Sequence, residues 1–313
     1  MKQAQHSTTA GVDVGKRALD VAIAGSQAQE TFANAEDGRA ELVAWLCSQG
    51  VTRVGLEASG GYERAVREAL EKGGLEVVLH QPAEVRLFAR LKRIRAKNDR
   101  IDARVIALAT AQVDAVRAAQ DPELARIADR MTAYEYFAGC AARAKTFLEQ
   151  ASAEVRPGMQ AHLRQLQAAK AQLLRELLAA IRRSPELARR FDLLRSLPGV
   201  GPVTAAALVA RMPELGSMRR GQAASLLGVA PFDRDSGTFH GKRFITAGRA
   251  RPRRFVYLAA LTARRCDTAL KAFSERLLAH GKPPKVVLVA IMRKLIEAAN
   301  LVLARGAEWR PST

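Results

Sequence analysis

The sequence predicts an α/β domain followed by a mainly helical remainder, and three observations carry that expectation. Up to about residue 112, short apolar runs with β-branched residues alternate with amphipathic segments. From about 119 to 186 the strand patterns stop, and Ala, Leu, Gln, Glu and Arg dominate. From about 190 to 306 helical patterns surround a polar, Gly-rich stretch, "PFDRDSGTFHGKRFITAGRARPRR". The corresponding division is 1–118, 119–188 and 189–313.

The elements follow in order. "AGVDVGKRALDVAIAG" predicts a strand, a tight turn near Gly15 and a second strand; "ETFAN" predicts a third. "DGRAELVAWLCSQG" predicts a helix with Asp37 as N-cap and Gly50 just past its end. "VTRVGLEASGG" predicts a buried strand ending at Glu57, followed by a helix in "YERAVREALEKGG" and a strand in "LEVVLHQP". Helices are expected around 83–92 and 99–112. A hairpin followed by strand–helix alternation gives a mixed sheet with helices on its faces. In the middle region Arg156-Pro157-Gly158 reads as a turn between two long helices. The second of these carries a rough heptad stripe, Leu163, Leu166, Leu173, Leu177 and Ile181, interrupted by Lys170; a helical hairpin or an intermolecular coiled coil both fit it. Ser184-Pro185 ends that helix, and the tail "GAEWRPST" is expected to fray. There is no repeat and no low-complexity segment.

Composition narrows the function. The chain has 313 residues, 50 Lys+Arg and 31 Asp+Glu, for a formal net charge of +19. A charge of this size favours nucleic acid or an anionic membrane as partner. The longest apolar run, "VVLVAIM", is far short of the roughly 20 residues of a membrane span. The start, "MKQAQHSTTAG", has no apolar core of a signal peptide. Cys47, Cys140 and Cys266 are far apart and read as small buried hydrophobes of a reducing compartment, with no zinc spacing. The expectation is a cytoplasmic, nucleoid-associated protein that binds nucleic acid and no membrane.

Four carboxylates stand out. Asp13 lies at the end of the first strand and Glu57 at the end of a later one. Asp99 and Asp102 are three apart in a predicted helix and share one face, inside the basic run "RIRAKNDRIDARVIALA". Sites of α/β sheets lie at the carboxyl ends of strands. Four carboxylates gathered there repel unless cations hold them, and Mg²⁺ takes such oxygen ligands. Two ions about 4 Å apart stabilise the attacking and leaving oxygens of phosphoryl transfer. Taken singly, each acid has a plainer reading: Asp13 as a turn residue, Asp99 as a helix N-cap, Asp102 as a partner of a nearby arginine. Arg93, Arg95, Lys97 and Arg100 around the pair would hold a polyanion.

Two further stretches bear on nucleic acid. "LRSLPGVGPVTAAALVA" has the pattern of a helix-hairpin-helix, in which Gly199 and Gly201 let the backbone approach a phosphate and the N–H groups near Thr204 point at it. An ordinary turn between helices with glycine caps is the plainer alternative. In "RDSGTFHGKRF", Ser236 sits beside Gly237 among Arg234, Lys242 and Arg243, where it reads either as a nucleophile on a phosphodiester or as a turn serine. His240 is four residues along, and nothing marks it as the general base. The run Lys242, Arg243, Arg249, Arg251, Arg253 and Arg254 contains no acid, which favours phosphate contacts.

Together, "GVDVGKRALDVAI", "LEASGGYERAVREAL", "KNDRIDARVIA" and the stretch from "LPGVGPVTAAALVARMPELG" through "RPRRFVYLAAL" resemble the DEDD-type insertion-sequence transposases that carry a catalytic serine, a group that includes the Piv-type DNA invertases. The resemblance covers about 10–112 and 190–305. It implies an RNase H-like, RuvC-like first domain whose Asp13, Glu57, Asp99 and Asp102 bind Mg²⁺, and a C-terminal transposase domain with Ser236 as nucleophile. It also implies double-stranded DNA partners (element ends and target), a guiding bridge RNA, and dimers that assemble into tetramers through the 119–188 region. Two rivals remain: a Mg²⁺-dependent hydrolase of the Holliday-junction resolvase kind, which needs no Ser236, and a non-catalytic DNA-binding protein.

Overall fold

The computed structural model describes residues 8–58, 60–94, 99–114, 121–233, 241 and 243–310, with the backbone alone at 99 and 100. The described residues form two compact units that divide between Gln120 and Asp121.

In the first unit the strands are β1 (Thr8–Val14), β2 (Ala18–Ile23), β3 (Gln29–Ala33), β4 (Val51–Glu57) and β5 (Glu76–His80), and the helices are α1 (Glu36–Ser48), α2 (Glu63–Lys72), α3 (Pro82–Leu91) and α4 (Asp99–Thr110). The sheet runs β3-β2-β1-β4-β5; β1, β2 and β3 pair antiparallel, while β4 and β5 continue from β1 in parallel. The side-chain period of two sorts the faces. Ala10, Val12 and Val14 point with Val54, Leu56 and Val77 into a core closed by Leu42 and Leu46 of α1 and Val66 and Leu70 of α2. The alternate residues, Gly11 and Asp13 of β1 and Gly55 and Glu57 of β4, face the other way, where α4 packs on β1, β2 and β4. The mixed sheet with helices on its faces is the architecture the alternation predicts. Asp37 is not the N-cap of α1: that position is Ala35, and Asp37 joins Glu36 in the first turn, where a negative charge suits the helix dipole.

The second unit contains α5 (Pro122–Gln150), α6 (Arg156–Arg183), α7 (Pro185–Arg195), α8 (Pro202–Arg211), α9 (Gln222–Leu227), a two-residue ladder of β6 (Pro231–Phe232) and β7 (Phe244–Ile245), α10 (Ala250–Cys266), α11 (Thr268–Ala279) and α12 (Pro284–Arg305). The leucine stripe of α6 turns toward α5 of the same chain: Leu166 packs with Ala141 and Ala144, and Leu177 and Ile181 pack with Ile127 and Met131. The predicted turn at Arg156-Pro157-Gly158 is the first turn of α6, because proline fits a position whose N–H has no helical acceptor. The connection is 151–155, and the Arg156 guanidinium closes it by donating to the carbonyls of Leu148 (3.1 Å) and Ala151 (2.7 Å). Arg211 of α8 binds Glu135 of α5 at 3.0 Å, with both side chains largely shielded from water, so the hairpin is tied to the helical body by charge as well as by its apolar root. The tail is not frayed as far as Arg310: Trp309 packs on the core and its backbone N–H donates to Ser196 Oγ at 2.8 Å. Cys47 and Cys266 are exposed and Cys140 is half-buried, contrary to the expectation of buried thiols; their helices turn other residues inward. Among the described residues no helix is long and apolar enough to cross a membrane.

Candidate functional site

The candidate site lies at the carboxyl edge of the first unit's sheet. The β1–β4 pairing runs to Val12 and Leu56, so Asp13 and Glu57 are the next residues on neighbouring parallel strands. Asp13 pairs across the antiparallel side with Asp20, and Glu57 pairs with His80. A row of four ionisable residues, Asp20, Asp13, Glu57 and His80, thus crosses β2, β1, β4 and β5 on the face that α4 covers. Asp20 accepts a hydrogen bond from Thr31 Oγ1 at 2.7 Å.

Helix α4 reaches this face because two glycines let it. A Cβ on Gly11 would overlap the backbone of Ala103 and Ala107, and a Cβ on Gly55 would overlap Thr110 and Ile106. Gly11 and Gly55 are register partners, so they form a side-chain-free saddle across two strands. Asp102 is half-buried and immediately precedes Ala103, which sits on Gly11, two residues before Asp13. Asp99 is the first residue of α4, and its side chain lies outside the described residues. The donor set consists of hard carboxylate oxygens at a strand edge, the chemistry a divalent cation takes. Among the described residues no three His, Cys, Asp or Glu side chains stand close enough to share a metal ion.

His80 was not singled out from the sequence. It is buried at 6 % exposure, and its Nε2 lies 2.9 Å from Thr110 Oγ1. The Thr110 hydroxyl donates its one proton to the Ile106 carbonyl at 2.7 Å, so it accepts from His80, which therefore carries hydrogen on Nε2. Burial pushes the His80 pKa below its ordinary value, against the weaker upward pull of Glu84, and favours the neutral ring. The available signal was a histidine ending the strand "EVVLH" beside the predicted Glu57 strand; Asp20 was similarly the one acid inside "ALDVAI".

The predicted nucleic-acid residues divide. Arg93 is exposed at the end of α3 with a left-handed φ of 58°, a conformation that favours glycine. Arg95, Lys97, Ser236, Lys242 and the Arg100 side chain lie outside the described residues. Gly199 does adopt a left-handed φ of 74°, but its missing Cβ makes room for the backbone of Ala259 and Ala263 in α10 rather than for a phosphate. Thr204 is buried at 8 % exposure, with its hydroxyl 3.5 Å from the Phe255 carbonyl, so it packs in the interior. Gly201, at the N-terminus of α8, is open.

Three arginines of the basic run, Arg243, Arg249 and Arg251, have acidic neighbours from outside the run. Arg249 forms a two-pronged pair with Glu214 (2.8 and 2.5 Å) and also donates to the Arg211 carbonyl. Arg243 pairs with Asp233 at 2.5 Å, and Arg251 lies 3.8 Å from Glu135. Arg253 donates to the carbonyls of Gly228 and Ala247 at 3.1 and 2.9 Å. Arg249 and Arg253 are thus struts, while Arg254 is exposed. Their common task is local. Gly228 and Gly248, both at positive φ, touch backbone to backbone, and Arg249 N–H donates to the Leu226 carbonyl at 2.8 Å. With the β6–β7 ladder, these contacts hold Gly228 and Gly248 against one another beside β6 and β7.

Residues 10–157 match the DEDD-type IS110 family described as "Transposase", and residues 191–275 match "Transposase IS116/IS110/IS902 family". The pilin gene-inverting protein of Moraxella bovis is 24% identical over 311 residues, covering 96% of each chain. The corresponding protein of Moraxella lacunata is likewise 24% identical over 311 residues. An uncharacterized 43.6 kDa protein of insertion element IS110 in Streptomyces coelicolor is 31% identical over 115 residues, 36% of this chain and 28% of that one. T. thermophilus RuvC, solved in complex with a Holliday junction substrate, aligns with 33% of this chain and 92% of its own, at 17% identity and a TM-score of 0.27.

Proposed function

Because the chain belongs to the IS110 family of DEDD transposases, we propose that it is a Mg²⁺-dependent DNA recombinase in which carboxylates of the first unit and Ser236 of the second act on one phosphodiester. The observation that carries the reading is the register of β1 and β4, which puts Asp13 and Glu57 side by side at the carboxyl edge of the sheet, under the helix that bears Asp102. The mixed order β3-β2-β1-β4-β5 supports a RuvC-like, RNase H-like core.

Asp13, Glu57, Asp99 and Asp102 would hold the ions. Bound Mg²⁺ there would supply charge stabilisation to the oxygens around a scissile phosphorus. Ser236 Oγ attacks that phosphorus and loses its proton to solvent. The bond to the leaving deoxyribose oxygen breaks, that oxygen takes a proton, and a phosphoserine link keeps the strand attached. A hydroxyl end of the partner strand then attacks the same phosphorus and loses its proton, the bond to Ser236 Oγ breaks, and that oxygen takes a proton back. The number of phosphodiester bonds is conserved, so no nucleotide hydrolysis is required. The exposed cations Arg93 and Arg254, with Arg95, Lys97, Arg100 and Lys242, serve the DNA backbone. A bridge RNA supplies target choice, and dimers paired into tetramers bring carboxylates and serine of different subunits together.

Cleavage of DNA carrying an element junction, in the presence of the RNA flanking the element, tests the metal half of the reading. It is expected in Mg²⁺, absent in EDTA, and abolished by Asp13→Asn and by Glu57→Gln. Cleavage that survives both substitutions would refute the carboxylate assignment.

A further inference from the structure

We infer that His80 is a positioning residue for the carboxylate cluster: it joins the strand edge that carries Glu57 to the helix that carries Asp102, through Thr110. The inference rests on the reading of those acids as metal ligands. Two sets of contacts carry it. On the strand side, His80 pairs in register with Glu57, and its carbonyl accepts from the Ala58 N–H at 3.1 Å, so it is fixed to the residue just past Glu57. On the helix side, its Nε2 donates to Thr110 Oγ1 at 2.9 Å, and that hydroxyl fills the space that a Cβ on Gly55 would need.

Geometry makes this joint sensitive. Helix α4 rests on bare backbone at Gly11 and on the Thr110 hydroxyl and Ile106 methyl at Gly55, so the Thr110 hydroxyl helps set the height of its C-terminal end over β4. Arg53 reinforces the same end by donating to the Val113 carbonyl at 2.7 Å. Because the helix is rigid, a tilt at Thr110 moves Asp102, about two turns away, relative to Asp13 and Glu57. Carboxylates that share a cation must keep their spacing to within about 0.5 Å. His80 and Thr110 are both buried, beside the apolar contacts that Val105 and Ile106 make with Val85.

The experiment uses the full chain without nucleic acid and reads Mn²⁺ binding by water-proton relaxation, with thermal unfolding in EDTA as the control for folding. Thr110→Val removes the hydroxyl at nearly constant shape; Thr110→Ser keeps it. The expected result is a roughly ten-fold weaker Mn²⁺ midpoint for Thr110→Val and a midpoint within about two-fold of wild type for Thr110→Ser, the size seen when a hydrogen bond supporting metal ligands is lost. His80→Leu and His80→Gln form a second pair, the glutamine amide retaining a donor, and the same ordering is expected should Thr110→Val fail to fold. Equal Mn²⁺ midpoints across both pairs, with only the unfolding temperature changed, would overturn the positioning role. If wild type and Asp13→Asn bind Mn²⁺ equally, the metal reading itself fails, which is a separate outcome.

Discussion

Gly11 of β1 and Gly55 of β4 face one another in the sheet register, and helix α4 lies directly on both. Two missing side chains on adjacent strands thus decide how close Asp102 comes to Asp13 and Glu57. The two positions differ in what they touch. At Gly11 the obstacle is backbone, from Ala103 and Ala107, while at Gly55 it is chiefly the Thr110 and Ile106 side chains. Gly11→Ala is therefore expected to destabilise the first unit by about 3 kcal/mol or more, since backbone cannot step aside. Gly55→Ala should cost less and be partly relieved in the double variant with Thr110→Ala. Chemical denaturation of the four proteins checks this; equal losses at the two glycines would contradict the contact assignment.

Arg249 offers a direct contest between sequence and structure. Its unbroken basic neighbourhood predicts a phosphate contact, but its guanidinium is occupied by Glu214 and by the Arg211 carbonyl. Arg249→Ala is expected to lower stability by about 1–2 kcal/mol, a figure reduced because both partners are about one-third exposed. Glu214→Ala should do much the same, and the double variant little more. A loss of DNA affinity in Arg249→Ala with unchanged unfolding would instead restore the phosphate role.

His80 predicts a pH dependence. Its pKa is lowered by burial in the folded chain, whereas in the unfolded chain it titrates near the ordinary 6.5. Between those two values the unfolded state holds the extra proton, so stability is complete above pH 6.5 and declines as the pH falls toward the folded value. The decline amounts to about 1.4 kcal/mol for each unit separating the two pKa values. Unfolding in EDTA from pH 7.5 to 5 should show a steeper loss in wild type than in His80→Gln; parallel curves would exclude it.

The sequence revealed much of the fold through period and punctuation. Alternation in "VDVGKRALDVAI" and the apolar runs in "VTRVGLEASGG" and "LEVVLHQP" were enough for a mixed sheet, because side-chain period is a local property. The carboxylates were legible for the same reason, as acids at strand ends and at one helical spacing. What escaped was whatever depends on contacts between distant segments. Arg249 and Glu214 are 35 residues apart, so the counter-charge of the basic run was invisible in the run itself. Gly199 signalled close backbone approach correctly, but the partner was α10, some 60 residues away. His80 owes its meaning to Thr110, 30 residues later.

The central claim is that Ser236 forms a covalent link to DNA with help from the carboxylates, and the most direct measurement is adduct trapping. The purified chain is incubated with Mg²⁺, the RNA flanking its element and DNA carrying the element junction, then run on a denaturing gel beside Ser236→Ala and Asp102→Asn. Wild type is expected to give a protein–DNA adduct, and neither variant is. Cleavage without an adduct, unchanged by Ser236→Ala, would contradict it and make the enzyme a hydrolytic nuclease that uses water as its nucleophile.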